Sequence, residues 1–206
     1  AISFVLDYSG SMSSKDKAFL EEALLFFLEQ LPPVYRASVT KFDNRVSTYQ
    51  ELTRDVEKLK SAITRPMSSG GTALYDAIGA GIEELRDESV PFRLQLVFTD
   101  GMENSSKHHC HDSVVAFSRQ QAVPVFVMGM GDIDVPAMLT LTNDTNACFL
   151  YAPSSDQIKQ IYQVIASVMA QTYVISWPLR HSDATTVTID ATTPAGPVGD
   201  SYTIKP

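Results

Sequence analysis

"AISFVLDYSGSM", Ala1 to Met12, runs an unbroken apolar segment straight into small oxygen-bearing side chains. "ISFVL" is short, continuous and apolar, which reads as a buried strand. Asp7, Ser9 and Ser11 follow at every second position. Catalysis, metal binding and simple turn chemistry all use such residues, so the stretch alone leaves its purpose open.

The pattern downstream supplies the frame. Leu20, Leu24, Phe27, Leu28 and Leu31 fall on one face of a helix over Ser14 to Leu31, which Pro32 and Pro33 end. "RASVTKFDNRVSTYQ" reads as a hairpin with Asp43 and Asn44 near its turn. A helix follows Thr53, then the loop "RPMSSGG". Another helix opens at Thr72, with Leu74, Ile78, Ile82 and Leu85 along one face. "FRLQLVFTD" is a second buried strand, His111 to Gln121 a helix, and "VPVFVMGMG" a third strand. A short helix near Pro136, the strand "CFLYA" and a long helix from Ser155 to Ala170 complete the series. Ser154 and Gln157 have capping-box spacing there, and Ile158, Ile161, Tyr162, Ile165, Val168 and Met169 form its apolar stripe.

Strands alternating with helices imply a mostly parallel open sheet covered on both faces. With right-handed crossovers this is a doubly wound, Rossmann-like α/β domain over residues 1–171. After it, residues 172–206 change character: "TYVISWP", "TTVTIDATT" and "DSYTIKP" are β-like with no helix between them. That short C-terminal extension cannot hold a sheet alone and is expected to pair internally, with the main domain, or with further sequence.

Bulk properties narrow the function. The 206 residues are 44% hydrophobic, enough for a substantial core, and the net charge of -8 argues against a general nucleic-acid-binding surface. No run of 18 apolar residues suggests a membrane span, and no secretory leader pattern is seen. Ala1 already stands inside a strand-like run, so the sequence is expected to be part of a longer chain. Cys110 and Cys148 permit at most one bridge; against it, and for two free, partly buried thiols, stands that their elements start at opposite ends of the sheet.

In open parallel sheets, ligands sit in the crevice at the carboxyl ends of strands. Asp7 ends the first strand and Asp100 the strand "LQLVFT", while "SSGGT" delivers Thr72 at a helix start. Together these bring two carboxylates and three hydroxyls. An all-oxygen set suits a hard divalent cation. A calcium-storage loop carries more carboxylates and a bidentate Glu, which this set lacks. Mg²⁺ takes about six oxygens, of which the protein fills about three to five, leaving a position open to an external carboxylate.

At this point the sequence resembles a known family. Asp7-Tyr8-Ser9-Gly10-Ser11 matches the DxSxS signature of von Willebrand factor type A (integrin I-like) domains. "SSGGTALYDAI" and "VFTDGMENSS" match its other two metal motifs, and the element order agrees over about residues 1–171. The resemblance implies a metal-ion-dependent adhesion site holding Mg²⁺ or Mn²⁺, with Ca²⁺ as a further option. Carried over, its ligands are Ser9, Ser11 and Thr72, with Asp7 and Asp100 binding directly or through water. It further implies a non-catalytic module whose coordination a partner's Asp or Glu completes. In some members that event moves the last helix, here Ser155 to Ala170.

Bland readings stand beside these. Asp7, Ser9 and Ser11 alone read as well as a capped polar turn, and Thr72 as a helix cap. Tyr8, Met102, Glu103 and Asn104 are expected at the rim of the site, chiefly as solvated residues. "HHCH" (His108 to His111) lies at a loop-to-helix junction, where incidental nickel or zinc binding is expected before a functional site. Asp132 and Asp134 read as turn and helix-start residues. Gly199-Asp200-Ser201 matches a serine-protease triplet by chance, with no His and Asp organised around it.

Two function classes follow, beside a weaker third in which a metal only stabilises the fold. One is a divalent-cation-dependent protein-binding module. The other is an adaptor beside an AAA-type ATPase, which would be a separate chain or domain, since G-x-x-x-x-G-K-[ST] is absent from these residues. The β-like tail favours an extracellular, cell-surface or periplasmic setting over a cytoplasmic one. The oligomeric state is not legible.

Overall fold

The computed structural model describes residues 1–86, 90, 92–131 and 133–151, and the backbone of 185–193 and 196–204. The chain divides into two compact units, Ala1–Thr172 and Tyr173–Pro206. In the first, β1 (Ile2–Asp7), β2 (Ala37–Phe42), β3 (Val46–Thr53), β4 (Leu94–Thr99), β5 (Val125–Gly129) and β6 (Phe149–Tyr151) form one sheet in the order β3-β2-β1-β4-β5-β6. Only β2 with β3 is antiparallel. They are joined through Asp43, Asn44 and Arg45, where the Arg45 N–H donates to Asp43 Oδ1 at 2.7 Å. Every residue of β1, β2 and β4 is buried, as central strands covered on both faces require.

The pleat of β1 sorts the core. Ile2, Phe4 and Leu6 pack with α1 (Ser14–Gln30) and α2 (Val56–Thr64) on one face. Phe4 meets Phe27 edge-on at 5.8 Å between centroids. Val5 and Val97 pack with α3 (Leu74–Leu85), α4 (His111–Gln121) and α5 (Val135–Asp144) on the other. The domain is therefore doubly wound. On the α3 side, Ser3 pairs in register with both Ser38 and Gln95, a buried polar row across β2, β1 and β4. Gln95 Nε2 donates to the Ile78 carbonyl of α3 at 3.0 Å. Gly81 lets α3 approach this row: a methyl there would overlap Gln95 Nε2 and lie 2.7 Å from Ser3 Oγ.

Two helix boundaries differ from the sequence reading. α1 ends at Gln30 with Leu31 as its cap. α3 opens at Leu74 behind Ala73, which makes no side-chain cap. Both cysteines are free, and both are exposed rather than partly buried: Cys110 stands at the start of α4 and Cys148 just before β6. Asp134 caps α5 through the Ala137 N–H at 3.0 Å. Asp132, the expected helix over Ser155–Ala170 and the segment "TYVISWP" lie outside the described residues. Among the described residues no helix is long and apolar enough to cross a membrane.

In the second unit, β7 (Thr185–Thr193) pairs antiparallel with β8 (Gly196–Ile204). Gly199, Asp200 and Ser201 are ladder residues of β8 opposite Asp190, Ile189 and Thr188.

Candidate metal centre

The direction of winding reverses between β1 and β4. β1 is followed by α1 and pairs with β2 on one edge, while β4 takes its other edge. The carboxyl ends of β1 and β4 form the crevice where such sheets bind ligands. Asp7 is the last residue of β1, and Asp100 follows the last residue of β4.

Asp7 is fully buried and held from two sides. The Ser9 N–H donates to its Oδ1 at 2.7 Å, and Thr99 Oγ1 donates to its Oδ2 at 2.6 Å. Ser9 Oγ and Ser11 Oγ stand 2.9 Å apart, and Ser11 Oγ donates to Asp100 Oδ1 at 2.7 Å. Thr72 arrives from the third loop. The Gly10 N–H donates to the Gly70 carbonyl at 2.8 Å, so the "SSGGT" loop is stitched to the first motif. Gly101 shows that the hydroxyls converge. A Cβ at Gly101 would lie 3.0 Å from both Ser11 Oγ and Thr72 Oγ1 and 3.5 Å from Ser9 Oγ. Glycine leaves that space to another occupant. The five residues singled out in the sequence thus gather at the carboxyl end of the sheet's central strands.

Burial pushes the Asp7 carboxyl above its ordinary range, against the hydrogen bonds of Ser9 and Thr99, and the Asp100 charge raises it further. Burial likewise raises Asp100, opposed by the Ser11 hydroxyl. Two carboxylates are costly to keep ionised in such a place, and a divalent cation among them lowers that cost. The donors are all oxygen, with no imidazole or thiolate, and they fit a hard cation. Ser11 is exposed while Asp7, Ser9 and Thr72 are buried, so the cluster opens to solvent on one side. A cleft of about 740 Å³ lies apart from these oxygens, lined by Arg45, Ala73, Asp76, Ser105, Lys107 and His109 among others.

The flanking residues do structural tasks that spacing did not reveal. Asn104 Oδ1 accepts the Thr72 N–H at 2.9 Å, and the Asn104 and Ser105 N–H groups return to the Thr72 carbonyl at 3.0 and 3.1 Å. Glu103 accepts the N–H groups of Tyr75, Ser105 and Ser106. Met102 is 54% exposed beside the site, as a rim residue is. Tyr8 is a correction: it is 3% exposed and points into the α1 side of the core, not to the rim. Thr72 is corrected too, since it caps no helix and its hydroxyl faces the cluster. Thr99 and Gly101 were missed, although both sit inside "VFTDGMENSS" beside Asp100.

"HHCH" does not close on a point. His109 stacks on Phe117 at 6.4 Å and His111 Nδ1 faces Asp112 at 3.1 Å. Among the described residues no group of three or more His, Cys, Asp or Glu is placed to hold a metal.

Comparison with known proteins places the chain in a family. The family model for the von Willebrand factor type A domain matches residues 1–164. The bovine inter-alpha-trypsin inhibitor heavy chain H4 is 25% identical over 204 residues, 89% of this chain and 22% of that protein. The chain spans less than half the length of the curated relatives it matches. Among solved structures, a von Willebrand factor type A protein from Catenulispora acidiphila superposes with a TM-score of 0.73 at 15% identity, covering 81% of this chain and 41% of that one. Proximal thread matrix protein 1 of the mussel byssus, with a zinc-occupied MIDAS motif, superposes at 0.64 with 21% identity, covering 81% and 44%. These likenesses establish the fold.

Proposed function

The chain belongs to the von Willebrand factor type A domain family, generally protein-interaction modules, and from that premise we propose that it is a divalent-cation-dependent recognition module. The observation that carries the proposal is the convergence of the Ser9, Ser11 and Thr72 hydroxyls on the space above Gly101, beside Asp7 and Asp100. In this reading the hydroxyls hold Mg²⁺ or Mn²⁺ directly, with Ca²⁺ as a further option, and the two carboxylates bind directly or through water. The mussel protein's zinc-occupied motif supports a site of this kind.

The bound ion supplies an under-coordinated positive centre at the surface. The chain's own part is to arrange the donors and to hold Asp7 oriented through Ser9 and Thr99. With such an ion held there, a carboxylate of a protein partner would be the complementary ligand. The reading is of a binding module rather than a catalyst, in keeping with a family whose members are generally protein-interaction modules.

Calorimetric titration of Mg²⁺ and Mn²⁺ into metal-stripped protein tests this. One-site binding that Asp7→Ala abolishes is the expected result. Folded wild-type protein that takes up neither ion would overturn it.

A further inference from the structure

Tyr8 stands between two of the proposed ligand residues, Asp7 and Ser9, yet its side chain faces away from them. Its polar groups are engaged by other elements. Its N–H donates to the Phe42 carbonyl of β2 at 2.7 Å. Its carbonyl accepts from Lys17 Nζ of α1 at 3.1 Å, and the same ammonium is 3.4 Å from Ser69 Oγ in the loop that carries Thr72. Its hydroxyl donates to the Glu21 carboxylate of α1 and accepts from Lys41 Nζ at 3.0 Å.

Lys41 is the unusual member. It belongs to β2, is 0% exposed, and ranks among the largest fully buried side chains. A buried ammonium is costly unless its protons are all used. Lys41 spends them on Tyr8 Oη, the Ile63 carbonyl and the Arg65 carbonyl, the last two at the end of α2. Its Nζ also lies 4.2 Å from the centroid of the Tyr8 ring and 5.1 Å from that of Tyr49. Burial pulls its pKa down to about 8, with Glu21 raising it and Arg65 lowering it, so it is mostly protonated at neutral pH. Core packing alone has no use for such a group, since an apolar side chain fills the space at lower cost.

We propose that Tyr8 and Lys41 are positioning residues for the ion: the network of buried Lys41 and Tyr8 with half-buried Glu21 fixes the turn between Asp7 and Ser9 against α1 and α2, and so sets the spacing of the donors. The inference rests on the metal reading above. Polar groups behind a ligand shell orient it, and their loss typically weakens metal binding about 10- to 100-fold.

The test is Mn²⁺ binding, followed by the electron paramagnetic resonance of free and bound ion, in wild type, Tyr8→Phe and Lys41→Met. It is run well below each melting temperature. Tyr8→Phe keeps the ring and its contact with Lys41 and removes only the hydroxyl, so it decides the matter if Lys41→Met does not fold. The expected result is an affinity loss of about tenfold or more with an altered bound-Mn²⁺ spectrum. Variants that melt earlier yet keep the wild-type affinity and spectrum would reduce the network to a structural role and overturn the proposal alone. Wild-type protein that binds no Mn²⁺ overturns the metal reading and this inference with it.

Discussion

Thr99 Oγ1 donates to Asp7 Oδ2 at 2.6 Å, joining the ends of two adjacent parallel strands, β4 and β1. Both residues are buried, which makes an unmet carboxylate oxygen costly. Thr99→Val keeps the shape and removes the donor. The expected cost is about 1–3 kcal/mol of stability in chelator, because a buried carboxylate loses a charge-assisted partner. Urea denaturation measures it. A variant as stable as wild type would show that Asp7 is satisfied without Thr99.

Gly101→Val tests the space among the hydroxyls. Its Cβ would lie 3.0 Å from Ser11 Oγ and Thr72 Oγ1, in the space the proposal assigns to the ion. Ion uptake should be lost while the domain still folds, because the added group projects towards the solvent-facing cluster rather than into either apolar core. Calorimetry with Mn²⁺ reads the loss and circular dichroism the fold. Undiminished uptake would move the ion elsewhere.

Gly81→Ala sets two effects against each other. Alanine favours a helix over glycine by about 1 kcal/mol. Here the methyl overlaps Gln95 Nε2 and crowds Ser3 Oγ under α3. Overpacking costs about 1–3 kcal/mol and also threatens the bond from Gln95 to Ile78, so net destabilisation is expected. A raised melting temperature would mean that α3 lifts from the polar row without penalty.

Asp76 gives the acid limb of stability a local source. Partial burial raises its carboxyl, but the N–H groups of Lys107, His108 and His109 outweigh that and hold it below its ordinary 3.8. A carboxyl depressed on folding contributes stability above its unfolded pKa and forfeits it as pH falls through the folded value. Asp76→Asn should therefore lower stability at neutral pH and flatten the loss below about pH 4. Denaturation midpoints across pH 2–7 would show it. Parallel curves for variant and wild type would remove Asp76 from the acid response.

The order of strands and helices and the candidate ligands were legible in the sequence because each rests on a local signal. Buried strands read as apolar runs, α1 as a stripe of leucines, and Asp7, Ser9, Ser11, Thr72 and Asp100 as polar punctuation at strand ends and a helix start. Local signals stop at the pleat and at the partner. Tyr8 is one residue from two proposed ligands, but successive side chains on an extended chain point to opposite sides, and its neighbours come from α1, β2 and α2. Lys41 reads as an ordinary hairpin lysine until the end of α2 supplies carbonyls for it. Thr99 finds Asp7 only because β4 lies beside β1, 92 residues apart in the chain. Sequence alone thus determined which residues can form each element and which oxygens stand at its ends. Tertiary structure decided which of those groups meet, because hydrogen bonding and burial depend on neighbours in space, and the winding of the sheet chooses them.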